Sequence, residues 1–326
     1  MRGRFLLAGS LGLVCATFSV QAQDYPVRPV RLVVTFPPGS GVDIVARSIG
    51  QKMSEALGHQ VVVDNRAGAG GILGTEIAAR AAPDGYTLVM VSSSFTINGS
   101  VYARLPYDPL RDFAPVTLLA STPYLLVVHP PLPVRDVREL IQLARARPGF
   151  INYGSGGVGV GSHLAGELFA TMAAIQITNV PYKGAPQATS DTVAGQVQMA
   201  FSTLPTALPL FKAGRLRALG VTSARRLAIA PDLATVAEAG LAGFEASTWQ
   251  GILAPAGLPP PRLRRVNGEA VAAVKAPEVS ERLVVQGYEV IGSTPETFAR
   301  AIRDEIAKWA KVVKAAGIKP LSLDAR

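Results

Sequence analysis

An α/β protein of two lobes is what this chain predicts, and three observations predict it. Strand-like apolar runs alternate with helix-like stripes along most of the sequence. At 326 residues the chain is longer than one ordinary single-core domain. Two glycine-rich turns, Phe36-Pro37-Pro38-Gly39-Ser40-Gly41-Val42-Asp43 and Tyr153-Gly154-Ser155-Gly156-Gly157-Val158-Gly159-Val160-Gly161-Ser162, each stand where a strand hands over to a helix.

The elements follow in order. Val30 to Thr35 is β-branched and apolar, hence a strand running up to Phe36. From Asp43 to Leu57 the apolar residues Ile44, Val45, Ile49, Met53 and Leu57 keep helical spacing, and Gly58 stops the run. Val61 to Val63 is the next strand, Ile72 to Ala81 the next helix, Pro83-Asp84-Gly85 a turn and Thr87 to Val91 a third strand. Strands joined through helices require right-handed crossovers and a parallel sheet, whose ligands lie beyond the carboxyl ends of the strands. The pattern then repeats. Tyr124 to Val128 is a strand, Val134 to Ala146 a helix, Ile151 to Tyr153 a strand, His163 to Met172 a helix, Ile177 to Val180 a strand and Ala185 to Ala194 a helix. Met199 to Phe201, Leu216 to Val221 and Phe244 to Leu253 are further extended segments. Leu263 to Val274 and Pro295 to Ala315 close the chain as helices, the last with Phe298, Ile302, Ile306, Trp309 and Val313 on one face, expected to pack back on the first lobe. The chain then crosses between lobes twice, near 118–126 and 245–254, and two crossings make a hinge.

Composition narrows the function classes. Nearly half the residues (48%) are apolar, so a large core is available. The formal net charge of +9 suits an anionic ligand, but Lys and Arg are scattered and aromatics make up only 6%, which argues against nucleic acid. The first residues read as an export signal: Arg2 and Arg4, an apolar Phe5 to Phe18, and Val20-Gln21-Ala22 with cleavage after Ala22. The single cysteine, Cys15, falls inside that leader, and Val14 is a poor residue to precede a lipid-bearing cysteine. The exported chain would carry no disulfide and no thiol chemistry, which suits the periplasm.

The two turns carry the chemistry. Glycine lets backbone approach a ligand closely, and the first amides of a helix have no internal partner. Those amides and the positive helix end make an anion site. Peptide N–H groups of Gly39, Gly156, Gly157 and Gly159, with the hydroxyls of Ser40, Ser155 and Ser162, are therefore expected to hold carboxylate from both lobes. Asp43 near a helix start either touches ligand or, as we expect, satisfies free amides. His163 is expected to cap or pack rather than act as a general base. His59 and His129 have no companion ligands for a metal, and no cofactor is expected. Trp249 lines the pocket near the hinge or, as we expect, belongs to the core. Gly154-Ser155-Gly156-Gly157-Val158-Gly159 formally fits a dinucleotide fingerprint, yet Asn179 stands where an acid is wanted. A secreted serine hydrolase is the main enzyme alternative, but Tyr153 occupies the first glycine position of Gly-x-Ser-x-Gly around Ser155. A co-receptor that reports ligand to a sensor would bind in the same way.

An ordered set of motifs resembles one family. Tyr25-Pro26, Phe36-Pro37-Pro38-Gly39, Ala46-Arg47, Asn65-Arg66, Gly68-Ala69-Gly70-Gly71, Pro83-Asp84-Gly85-Tyr86-Thr87-Leu88 and Leu105-Pro106-Tyr107-Asp108 lie in the first half. Tyr153-Gly154-Ser155, Gly161-Ser162-His163-Leu164-Ala165-Gly166-Glu167, Val180-Pro181-Tyr182-Lys183-Gly184, Gly195-Gln196-Val197 and Pro255-Ala256-Gly257 continue it. The set is similar to the substrate-binding receptors of tripartite tricarboxylate transporters, the Bug or TctC family. The resemblance implies a type II periplasmic-binding-protein fold, a small carboxylate ligand, a periplasmic location and delivery to the permease subunits of such a transporter. We expect a monomer without nucleic-acid partners. It implies lobe 1 over 23–122 plus 252–326, lobe 2 over 123–251, and a leader over 1–22. It also places Pro38 to Asp43, Ser92 and Ser93 at the third strand's end, Ser155 to Ser162, and Lys183-Gly184-Ala185 at the cleft. It places Ser202 among the ligand-binding residues as well; many relatives carry an acid there, and its absence turns the expectation from amino acids toward acids without an amine.

Overall fold

The computed structural model describes residues 25–323 except 316 and 319. The leader and its cleavage point after Ala22 lie outside the described residues.

The first lobe opens with β1 (Val30–Val34), α1 (Gly41–Leu57), β2 (Val61–Asn65), a short 3-10 turn at Ala69–Gly71, α2 (Ile72–Ala79), β3 (Thr87–Ser92) and α3 (Ser94–Val101). β4 (Phe113–Val128) leads into α4 (Val137–Ala146), β5 (Asn152–Ser155), α5 (Gly161–Ala173), β6 (Thr178–Pro181), α6 (Ala185–Val193), β7 (Met199–Thr203), α7 (Leu204–Lys212) and β8 (Arg217–Val221). β9 (Ser247–Pro255), α8 (Pro260–Lys275), α9 (Pro277–Val285), β10 (Glu289–Val290) and α10 (Pro295–Ala315) complete the chain.

β1 pairs in parallel with β2 and β3. Parallel strands are covered on both faces, and Val30, Leu32, Val33 and Val34 are accordingly all buried. Alternate residues serve opposite faces. Val30, Leu32 and Val34 pack with α1 and α8, whereas Val33, Val89 and Val91 pack with Phe95, Phe298 and Trp309. The final helix thus returns to lobe 1 as expected. In lobe 2, Tyr153, Phe169, Phe201 and Phe244 form one core, with Leu125, Val127 and Ala200 on the opposite face.

β4 and β9 join the lobes. Phe113–Pro123 runs antiparallel to the whole of β9, which also pairs with β3. Beyond Pro123, Tyr124–Val128 pairs instead with β7 and β8. The boundary expected at 251/252 falls inside β9, whose ladder to β4 begins at Ser247; an unbroken extended run from Ser247 gives no local mark of where the sheet changes.

Four features departed from the sequence reading. β4 starts at Phe113 rather than Tyr124, despite Pro115 and Pro123; its ladder shifts register between Pro115 and Thr117, a bulge that accommodates the missing N–H. α3, rich in Ser, Thr and Asn, forms because it is sandwiched under α10. α7 contains two prolines, with Pro205 tolerated in its first turn. α9, begun by Pro277, buries Val279 and Leu283 against lobe 1.

Candidate functional site

β1, β3 and β5 end at the same place, and the helices that follow start there. α1 begins at Gly41 with Ser40 as its cap; the Ser40 hydroxyl accepts a hydrogen bond from the Asp43 amide at 3.3 Å. α5 begins at Gly161 and α6 at Ala185, neither with a side-chain cap. Among the described residues, the amides of Gly41, Val42, Gly161, Ser162 and Ala185 have no hydrogen-bond partner. These are the orphan donors of helix N-termini, two from lobe 1 and three from lobe 2.

They surround one cavity of about 50 Å³ between the lobes. Phe36, Ser40, Gly41, Val42 and Ser92 line it from lobe 1. Gly156, Val160, Gly161, Ser162, Ala185 and Thr203 line it from lobe 2. Tyr124, Thr248 and Gln250, from the two hinge strands, form its floor. No lining residue is charged. By the same measure a single water takes about 10–15 Å³, so the cavity has room for a few atoms' worth of polar group. Phe36 and Gly156 also border a wider groove of about 640 Å³ that runs outward past Pro37, Tyr102 and Lys183.

Close approach decides one glycine. A Cβ on Gly161 would lie 2.1 Å from the Tyr124 hydroxyl, so the helix start and the tyrosine share a space that only glycine permits. Burial pushes the Tyr124 phenol up, and it stays protonated, with the Thr248 and Ser93 hydroxyls beside it. The Ser93 and Thr248 hydroxyls lie 2.9 Å apart.

Six of the residues singled out from sequence meet at the cavity: Phe36, Ser40, Ser92, Gly156, Ser162 and Ala185. The others stand outside its lining. Pro38 and Gly39 belong to the turn below α1, and the Gly39 amide donates to Asp43 Oδ2 at 2.9 Å. Asp43 also takes Arg47 Nε at 3.0 Å and Asn65 Nδ2 at 2.9 Å. Burial would raise its carboxyl, but the bonds from Arg47, Gly39 and Asn65 outweigh that and hold it below the usual range. Asp43 therefore organises the turn, as its position near a helix start predicts. Ser93 sits behind the lining on Thr248. Ser155 is buried, its hydroxyl turned to the Gly157 backbone. Gly157 faces the outer groove. The Gly159 amide donates to His163 Nδ1 at 3.3 Å. Burial lowers the His163 pKa and Glu167 opposes this only in part; the ring supports the turn and no serine hydroxyl bonds to it among the described residues. Lys183 is on the groove, Gly184 abuts Pro37, and Ser202 is buried on Thr189. Trp249 belongs to the core: it stacks edge-on against Phe298 at 5.3 Å and donates to Glu305 at 2.8 Å.

Gly41, Val42, Val160 and Gly161 fall within the stretches Pro38 to Asp43 and Ser155 to Ser162 that the resemblance placed at the cleft, whereas sequence reasoning did not reach Tyr124, Thr203, Thr248 or Gln250 as lining residues. A signal existed for the last two. With Trp249 committed to the core, period-2 alternation turns Thr248 and Gln250 to the other face of the hinge strand.

The model for TctC, the tripartite tricarboxylate transporter family receptor, matches residues 45–318. The chain belongs to this family. TctC-family relatives and structures agree along nearly its full length. It is 42% identical over 315 residues to a UPF0065 protein from the tcbD-tcbE intergenic region of Pseudomonas sp. (strain P51), covering 95% of this chain and 94% of that one. The solved structure of R. palustris Rpa4515 with adipate is 39% identical, with a TM-score of 0.88 over 91% of this chain and all of that one (100%). MatC (Rpa3494) from Rhodopseudomonas palustris, with bound malate, is 32% identical, with a TM-score of 0.84 over 89% of this chain and 100% of that one. TctC proteins are solute-binding receptors, not enzymes. Among the described residues no helix is long and apolar enough to cross a membrane.

Proposed function

We propose that the protein is a periplasmic receptor that closes on a small carboxylate and delivers it to the permease subunits of a tripartite tricarboxylate-type transporter. One observation carries the reading: uncommitted amides at the starts of α1, α5 and α6 converge, from both lobes, on a cavity lined by no charged side chain. A carboxylate there accepts charge-assisted hydrogen bonds of about 1.5–3 kcal/mol each and sits at the positive ends of the helices. Because those amides come from opposite lobes, the ligand favours the closed arrangement, which is the form a permease would recognise. Nothing in the lining balances an ammonium group, so acids without an amine are favoured. The cavity takes the carboxylate head and the outer groove the rest of the molecule. The export leader read in the sequence of residues 1–22, with its expected cleavage after Ala22, and membership of the receptor family support the compartment and the partner.

The test is to release small molecules from purified protein by denaturation, identify them by mass spectrometry, and titrate a carboxylate panel against tryptophan fluorescence. Trp249 adjoins two cavity residues on β9, so occupancy is expected to change its emission while the acid is recovered unaltered. Failure of every carboxylate to bind, or recovery of a hydrolysed product, would overturn the reading.

A further inference from the structure

The cavity floor contains one buried side-chain oxygen, Gln250 Oε1, that no described residue satisfies. Ser92 shares its hydroxyl with Ser94 at 2.9 Å, Thr203 with Thr206 at 3.1 Å, and Thr248 with Ser93. Tyr124 stands beside Thr248 and Ser93. Ser162 accepts the Gly156 amide at 3.0 Å, and Ser40 the Asp43 amide. Gln250 is 1% exposed, its Oε1 has no partner, and no hydrogen bond ties its amide to any described residue. Buried side-chain amides are ordinarily paired. Gln250 lines the cavity, and a lining amide with no partner among the described residues is available to a bound ligand.

What it recognises follows from its two ends. A side-chain amide presents a donor NH₂ beside an acceptor C=O, whichever way it is turned. A bare carboxylate offers acceptors only; it satisfies the NH₂ and leaves the C=O facing negative oxygen. A carboxylate with a neighbouring hydroxyl offers an acceptor and a donor side by side. The position agrees: a Cβ built on Gly41 lies 3.9 Å from Gln250 Nε2, so the amide stands next to the free N–H groups that start α1. One ligand end therefore meets both.

Resting on the carboxylate-receptor reading above, we propose that Gln250 is a specificity-determining residue that selects hydroxy acids, with the hydroxyl one or two carbons from the carboxylate bound at α1. The hydroxyl donates to the amide oxygen while a carboxylate oxygen accepts from the amide nitrogen and from Gly41 and Val42. An acid lacking the hydroxyl leaves the amide oxygen unpaired and is rejected on that account.

The experiment is isothermal titration of the full mature protein with matched pairs: malate and succinate, lactate and propionate, 3-hydroxybutyrate and butyrate. In the wild-type protein at least one hydroxylated member is expected to bind about ten-fold or more tightly than its deoxy partner, equivalent to about 1.4 kcal/mol. In Gln250→Met, close in length and without hydrogen-bonding ends, that ratio is expected to fall toward one, with circular dichroism reporting a retained fold. Equal or tighter binding of the deoxy acids by the wild-type protein overturns the inference without any variant. An unchanged ratio in Gln250→Met overturns it too. If deoxy acids bind and hydroxy acids gain nothing, this inference alone fails; if no acid of either kind binds, the carboxylate-receptor reading fails with it.

Discussion

Gly161 carries no side chain because the Tyr124 hydroxyl occupies the place where one would go. The same crowding presents the Gly161 and Ser162 amides at the cavity edge. Gly161→Ala adds a methyl group 2.1 Å from that hydroxyl, and overpacking of this kind typically costs about 1–3 kcal/mol. Either Tyr124 leaves the floor or the first turn of α5 is pushed back. We expect roughly ten-fold or greater loss of affinity for the carboxylate that binds the wild-type protein, measured by calorimetry, with the far-ultraviolet spectrum unchanged. Asp43 shows the opposite kind of residue-scale logic. It attracts attention as a charge near a binding loop, yet its oxygens are spent on Gly39, Arg47 and Asn65. Its chemistry was legible from its place near a helix start; its partner Asn65, on another strand, was not.

At the scale of elements, α5 and the turn before it are one structural unit. His163 is the link: its Nδ1 accepts from Gly159, and Tyr153 Oη donates to the His163 carbonyl and to Glu167. Burial holds the imidazole below its ordinary pKa, with Glu167 opposing. The unfolded chain, with a histidine pKa of about 6.5, then binds the proton more readily than the folded one. The contribution of neutral His163 is present in full above that pH and is lost as pH falls below it toward the folded pKa. The thermal midpoint is expected to drop on acidification from about pH 7.5 to about pH 5, and His163→Gln, which keeps an acceptor for Gly159, to lessen the drop. A histidine variant with an unaltered pH slope would show that other groups set it. The helices that sequence patterning found, such as α1 and α10, have a clear apolar stripe. Those it missed, α3, α7 and α9, are short and polar or proline-bearing, and exist because neighbouring elements enclose them.

For the molecule as a whole, the two lobes meet at the mouth with the Gly184 backbone against the Pro37 ring. A Cβ on Gly184 in lobe 2 would lie 2.7 Å from Pro37 Cγ in lobe 1, and Gly184 has φ +144°, which side-chain-bearing residues rarely adopt. Gly184→Ala is expected to hold the lobes apart: small-angle scattering should show less contraction on adding ligand, and the ligand should raise the melting temperature less than it does for the wild-type protein. Equal contraction in both would mean that the mouth closes by another route. The chain's own order of residues determined the two α/β lobes, the glycine turns at strand ends and the carboxylate chemistry they imply, because periodicity and helix-start rules act over a few neighbours. It also carried the family resemblance, which the comparisons bear out. Only the tertiary structure decided which amides stay open, that Gly39 spends its own on Asp43 while Gly41 and Val42 keep theirs, and that Tyr124, Thr248 and Gln250 close the floor. Those choices depend on hydrogen-bond partners and strands distant in sequence, and no local pattern specifies which distant group arrives.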